Sequence, residues 1–281
     1  MVEHSSKVAF VTGASRGIGK QAALALAAKG FDVVITARTA VEGEQHERGG
    51  HLSDVTPVAG SLETTAAGIR ALGRQALPIR LDLLDPCSVE HAVTVALERW
   101  GRIDLLLNNG IYQGPGTMSR FMELTAQQLH NIYQGNVFSP VLLTQLCLQS
   151  MLKRGHGCII NVVSESGMID PRTPVGEGGW GFAYSSAKAA LTRMIGVLKV
   201  EHQHSGIRFH NLEPGFVITE LVQAKGMAAQ FERFGGVPPT VPAQVIGWLA
   251  SSEDASEYHG KTLFAQKFFA EFMAGEKTAS R

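Results

Sequence analysis

The sequence predicts an α/β fold: a single domain built on a doubly wound parallel sheet flanked by helices. Three observations carry this. Short β-rich runs alternate with longer stretches of helical period along the whole chain. The runs are apolar throughout instead of alternating apolar with polar, as strands are when helices cover both faces of their sheet. At 281 residues and 44% hydrophobic content, the chain is long enough for one large core.

The elements follow in order. The first strand covers residues 7–12 and gives way to a helix starting near Gly17; the second strand covers 32–36. Residues 39–60 hold Gly43, Gly49, Gly50, Pro57 and Gly60, and form a polar connection that is long for such a fold and either functional or mobile. A helix over 62–72, a strand over 76–81, a helix over 88–100 and a strand over 103–107 complete the first half. The second half runs through a long helix over 125–151, a strand over 157–163, a loop over 165–181 rich in Pro and Gly, and a helix over 183–202. Strands over 207–212 and near 262–265 end the series. Ligands of such sheets bind at the carboxyl ends of the strands.

Composition narrows the partners. Lys plus Arg equals Asp plus Glu at 25 each, so nothing in the overall charge points to nucleic acid or an anionic membrane. No stretch approaches the roughly 20 apolar residues of a membrane span, and the N-terminus lacks a leader-like apolar core, so a soluble, cytoplasmic protein is expected. Cys87, Cys147 and Cys158 have no paired spacing and read as buried thiols; the histidines lack metal-like spacing, so no metal is expected.

Thr12-Gly13-Ala14-Ser15-Arg16-Gly17-Ile18-Gly19 stands where the first strand turns into the first helix. Gly13 suits the tight turn, Gly17 a close approach to a pyrophosphate, and Gly19 close packing of helix on sheet, with the helix N-terminus facing the anion. A turn without a ligand is the competing reading of these glycines taken alone. Further on, Tyr184 and Lys188 in Tyr-Ser-Ser-Ala-Lys lie four apart on one helix face, where an ammonium stabilises phenolate and tunes the phenol for proton transfer.

With these motifs on the page, the chain is identified as resembling the short-chain dehydrogenase/reductase family, NAD(P)-dependent oxidoreductases built on one Rossmann-like domain. The resemblance runs from residue 7 to about 267, within a single NAD(P)-binding domain over 1–281 whose tail starts near 268. Its glycine motif is met by Thr12, Gly13, Gly17 and Gly19, and its Asn-Asn-Ala-Gly segment appears as Asn108-Asn109-Gly110-Ile111. The resemblance implies Asn136, Ser164, Tyr184 and Lys188 as catalytic residues, with Ser164 preferred to Ser166. It implies a cofactor site of Gly13, Ser15, Arg16, Gly17, Ile18, Gly19, Arg38, Asp82, Leu83, Asn109, Tyr184, Lys188, Pro214, Gly215, Val217 and Thr219. In those roles Ser164 holds the substrate oxygen and Tyr184 exchanges a proton with it. Lys188 lowers the Tyr184 pKa and binds the nicotinamide ribose, and Asn136 holds a water leading to solvent.

NADP is expected over NAD, because the second strand ends Ile35-Thr36-Ala37-Arg38 without the carboxylate that would bind a ribose 2′-OH, and Arg38 and Arg16 suit a 2′-phosphate. The activity implied is interconversion of a carbonyl and a secondary alcohol. The chain after Arg38 resembles the hydroxysteroid dehydrogenase-like subgroup, which implies an apolar and bulky substrate. A homodimer or homotetramer is implied as well. Competing classes are a silent dinucleotide-binding sensor or scaffold, and a nucleotide-sugar epimerase or dehydratase. His210, where the family carries Asn, reads as a buried, hydrogen-bonded ring. Phe216 through Phe234 read either as a lid or as core, and the Phe-rich tail as packing on a neighbouring subunit or on its own domain.

Overall fold

The computed structural model describes residues 6–46 and 58–273; eleven residues of the 39–60 connection and the last part of the tail lie outside them. Seven parallel strands form one sheet in the order β3-β2-β1-β4-β5-β6-β7. They are β1 (Val8–Thr12), β2 (Asp32–Ala37), β3 (Ala76–Arg80), β4 (Leu105–Asn108), β5 (Gly157–Val162), β6 (Ile207–Glu213) and β7 (Thr262–Phe264). The order reverses between β1 and β4, which opens a crevice above their carboxyl ends.

The helices are α1 (Gly17–Ala28), α2 (Leu62–Ala71), α3 (Pro86–Trp100), α4 (Ala126–Tyr133), α5 (Ser139–Arg154), α6 (Phe182–Glu201), α7 (Glu220–Ala224), α8 (Ala228–Arg233), α9 (Thr240–Ser251) and α10 (Ala265–Phe268). Successive strand residues point to opposite faces, and two cores result. Ala9 and Val11 face α1, α2 and α9 together with Leu26, Ile69 and Ile246. Val8 and Phe10 face α3, α5 and α6 together with Val93, Leu143 and Ile195.

Three departures from the sequence reading have physical causes. The helix expected over 125–151 is continuous in direction, but a π-turn over Gln134–Phe138 separates α4 from α5. Pro140 follows it in the first turn of α5 and brings no N–H for the carbonyl four residues before it, that of Asn136. The second departure is α9, which the periodicity did not reveal because Pro239 and Pro242 bracket its start; proline is tolerated in a first helical turn, and α9 packs its apolar Val245, Ile246 and Leu249 into the core. The third is Cys87, exposed near the start of α3, unlike Cys147 and Cys158, whose burial pushes their thiols up to about 12 and about 11. The described part of the tail packs on its own domain, with the Phe268 ring 4.7 Å from Trp248 and 5.4 Å from Tyr258.

Candidate active site

The glycine turn is stitched to the end of β4. Thr12 Oγ1 donates to the Leu107 carbonyl at 3.1 Å and accepts from the N–H groups of Asn109 and Gly110 at 3.0 and 2.8 Å. Asn109 Nδ2 returns a bond to the Thr12 carbonyl at 2.8 Å. Gly13 has φ +67°, and a side chain there would stand 2.8 Å from the Gly110 Cα; one on Gly19 would collide with the Gly13 carbonyl. Both glycines are therefore required by the turn's own packing.

α1 starts without a side-chain cap from its N-cap residue Arg16, and its Gly17 N–H donates to Glu220 Oε2 at 2.8 Å. Its main-chain donors and positive dipole end suit an anion such as a dinucleotide diphosphate, so the residues fit a nicotinamide cofactor. Arg16 itself donates to the carbonyls of Val58, Ala59 and Gly60 at 3.1, 2.9 and 2.8 Å and lies 3.4 Å from Thr39 Oγ1. Half-buried Arg38 follows β2, its carbonyl held by Arg80 at 2.8 Å. Buried Ser15 and half-buried Ile18 belong to the turn. Beyond β3, Asp82 Oδ1 accepts from the Leu84 N–H at 2.9 Å and the Leu83 carbonyl accepts from Ser139 Oγ at 2.6 Å.

The second half of the site is carried by β5, α6 and the chain after β6. Ser164 begins a 3₁₀ turn over Glu165–Gly167 directly beyond β5, and buried Ser166 donates to Ser164 Oγ at 3.0 Å. Tyr184 is half-buried near the start of α6, where both serine hydroxyls act on its phenol. Burial raises its phenol above the ordinary value; the Ser164 hydroxyl opposes that, the Glu213 carboxylate adds to it, and the Ser166 hydroxyl opposes it again. Lys188, one turn further, is 7% exposed and donates to the Val162 carbonyl at 2.8 Å. Burial pushes its ammonium down to about 8, against the pull of Glu213.

Asn136 sits in the π-turn, and its side chain is engaged by Tyr112: Oδ1 accepts from the Tyr112 N–H at 2.7 Å and Nδ2 donates to the Tyr112 carbonyl at 3.1 Å. It thus fixes the loop leaving β4. Pro214 and Gly215 follow β6, Val217 bridges to Val237, and Thr219 caps α7 by accepting from the Val222 N–H at 3.3 Å. Buried His210 sets Nδ1 3.0 Å from the Tyr258 carbonyl, and burial pushes its pKa down to about 4, so the ring is neutral.

Two sets of positioning residues escaped the sequence reading. One is a row of asparagines in register across three strands, Asn108 beside Asn161 and Asn161 beside Asn211. Asn108 Nδ2 donates to Asn161 Oδ1 at 2.9 Å, Asn161 Nδ2 to the Leu191 carbonyl at 3.1 Å, and Asn211 Nδ2 to the Thr192 carbonyl at 2.9 Å. The row ties α6, and with it Tyr184 and Lys188, to the sheet. Its signal was an asparagine recurring near the carboxyl end of three neighbouring strands. The other is Glu213, 9% exposed at the end of β6, which accepts from the Gly215 N–H at 2.9 Å and whose carboxyl burial pushes up.

Among the described residues no group of three or more His, Cys, Asp or Glu is arranged to hold a metal, and no helix is long and apolar enough to cross a membrane. The profile of the family described as short chain dehydrogenase matches residues 7–48 and 46–229. The 3-oxoacyl-[acyl-carrier-protein] reductase FabG of Escherichia coli (strain K12) is 31% identical over 265 residues, covering 92% of this chain and 94% of that protein. A short-chain type dehydrogenase/reductase from Mycobacterium marinum superposes with a TM-score of 0.74 at 28% identity, covering 94% of this chain and 96% of the other. A short chain dehydrogenase from Burkholderia cenocepacia J2315, solved in complex with NADP, superposes with a TM-score of 0.71 at 26% identity over 92% and 95% of the two chains.

Proposed function

The chain belongs to the short chain dehydrogenase family of oxidoreductases, and on that premise we propose that it interconverts a carbonyl and a secondary alcohol with NADP(H) as cofactor. The observation that carries this reading is the meeting of Tyr184 with Ser164 beside buried Lys188, at the strand ends that also hold the glycine turn. When bound, the nicotinamide supplies hydride exchange with the carbonyl carbon. Ser164 donates a hydrogen bond to the substrate oxygen, and Tyr184 gives that oxygen a proton in reduction or removes one in oxidation. Lys188 holds positive charge near the phenol and binds the nicotinamide ribose. Asn136 acts through the Tyr112 main chain, keeping the loop after β4 in shape beside the reacting atoms.

The preference for NADP rests on the end of β2. No carboxylate occupies position 37, and Arg38 follows it. Arg38 supplies attraction to a 2′-phosphate, and Arg16, which donates to the carbonyls of residues 58–60, shapes the wall beside it. The neighbour solved with NADP is consistent with this. An apolar, bulky substrate accords with Phe121 and Phe182, two exposed rings in edge contact at 5.5 Å, the second of them close in sequence to Tyr184. A homodimer or homotetramer completes the proposal.

The test pairs Ala37→Asp with Arg38→Ala and follows reduced-nicotinamide absorbance over a panel of ketones and alcohols. The ratio of NADPH to NADH efficiency should fall by at least about tenfold in the double variant. A wild type that prefers NADH, or an unchanged ratio, removes Arg38 from the role.

A further inference from the structure

Residues 216–237 form a small unit over the start of α1. It closes on itself: the Ile218 N–H donates to the Val237 carbonyl at 2.9 Å, the Val237 N–H to the Phe216 carbonyl at 2.9 Å, and the Phe216 ring packs 5.3 Å from both Phe231 and Phe234. Side-chain hydrogen bonds tie it to the rest of the molecule. Gln266 Nε2 donates to the Phe216 carbonyl at 2.9 Å, and Glu220 Oε2 accepts from the main-chain N–H of Gly17 at 2.8 Å. The approach at Gly17 is close, since a Cβ there would stand 3.1 Å from Thr219 Cγ2.

Gly17 is the first residue of α1, a 12-residue helix that no N-cap side chain closes. In this structure the anion at that helix start is the carboxylate of Glu220, brought from 203 positions along the chain. The oxidoreductase reading above seats a dinucleotide diphosphate against the same donors. Two anions cannot share one donor set at this range without strong repulsion.

We propose that Glu220 is a carboxylate latch on the cofactor site: it holds the 216–237 unit against the glycine turn in the free protein, and a nicotinamide dinucleotide displaces it from Gly17. The inference rests on the proposed function and deepens it. Since the competent state is the one with the carboxylate released, the latch weakens apparent affinity in proportion to the fraction latched. The main-chain bonds and ring contacts that close the unit do not involve the Glu220 side chain, so they survive its release.

The experiment titrates NADPH and NADH into the wild type and into Glu220→Gln and Glu220→Ala, reading the dissociation constant by nucleotide fluorescence, and measures hydrogen exchange over 216–237 in the free proteins. Gln keeps an acceptor for the Gly17 N–H and removes the charge, so the fold is retained. Both variants should bind NADPH about fivefold or more tightly, and exchange over 216–237 should rise in the free variants. Wild-type binding with unchanged or weaker binding in both variants overturns the latch and leaves the oxidoreductase reading standing. Failure of wild type and variants alike to bind either nucleotide overturns that reading, and the latch with it.

Discussion

The start of α6 and the 216–237 unit are built in opposite ways. α6 is a 20-residue helix whose carbonyls at Leu191 and Thr192 are held by Asn161 and Asn211 from the sheet, and its Lys188 reaches the last residue of β5. The unit after β6 has helices of only five and six residues, with Phe216 45% and Phe234 60% exposed. On the proposed mechanism, the groups that hold a reacting atom within a fraction of an ångström stand on the braced element, and the piece that yields to the cofactor is the less regular one.

The largest effect that would sharpen this contrast is at Tyr184. Tyr184→Phe keeps the ring and removes the ionisable hydroxyl, so turnover should fall by about 10² or more with NADPH affinity retained. Near-normal turnover in stopped-flow or steady-state assays would remove the phenol from the chemistry. Next comes the brace. Asn161→Ala leaves Asn108 Nδ2 and the Leu191 carbonyl each short of a buried partner and should cost about 2 kcal/mol in urea unfolding. Phe234→Ala, on the exposed unit, should change stability by less than about 0.5 kcal/mol. Equal losses in the two variants would break the comparison.

A pH-dependent effect reports on β6, the strand beside β5. The folded pKa of His210 is pushed down to about 4 from its ordinary 6.5, so the unfolded chain takes up the proton first as pH falls. The stability contributed by the neutral buried ring is complete above pH 6.5 and is lost between about 6.5 and 4, at a slope of at most about 1.4 kcal/mol per pH unit. Denaturation curves at several pH values should show this slope in the wild type and not in His210→Asn; a slope persisting in that variant assigns it to other groups.

Much of the site was legible because its signals are local. The glycine spacing of Gly13, Gly17 and Gly19, the Tyr184–Lys188 interval and the acid-free end of β2 at Arg38 each sit within a few residues, the first and last where a strand ends and the second near the start of α6. The break between α4 and α5 was hidden because a π-turn leaves the apolar pattern nearly continuous. The row of Asn108, Asn161 and Asn211 was hidden because its members lie about fifty residues apart and pair only through strand register.

By itself the sequence determined the α/β class, the order of the seven strands and of the helices up to α6, the strand ends where polar groups gather, and the family these motifs resemble. Apolar periodicity and turn chemistry act over a turn or a strand, so they survive in a one-dimensional reading. Only the tertiary structure decided that Asn136 serves Tyr112, that Arg16 serves the carbonyls of residues 58–60, and that Glu220 stands at the first N–H of α1. Each of these joins a side chain to main chain brought close by the winding of the sheet, and a main-chain partner leaves no mark in the sequence.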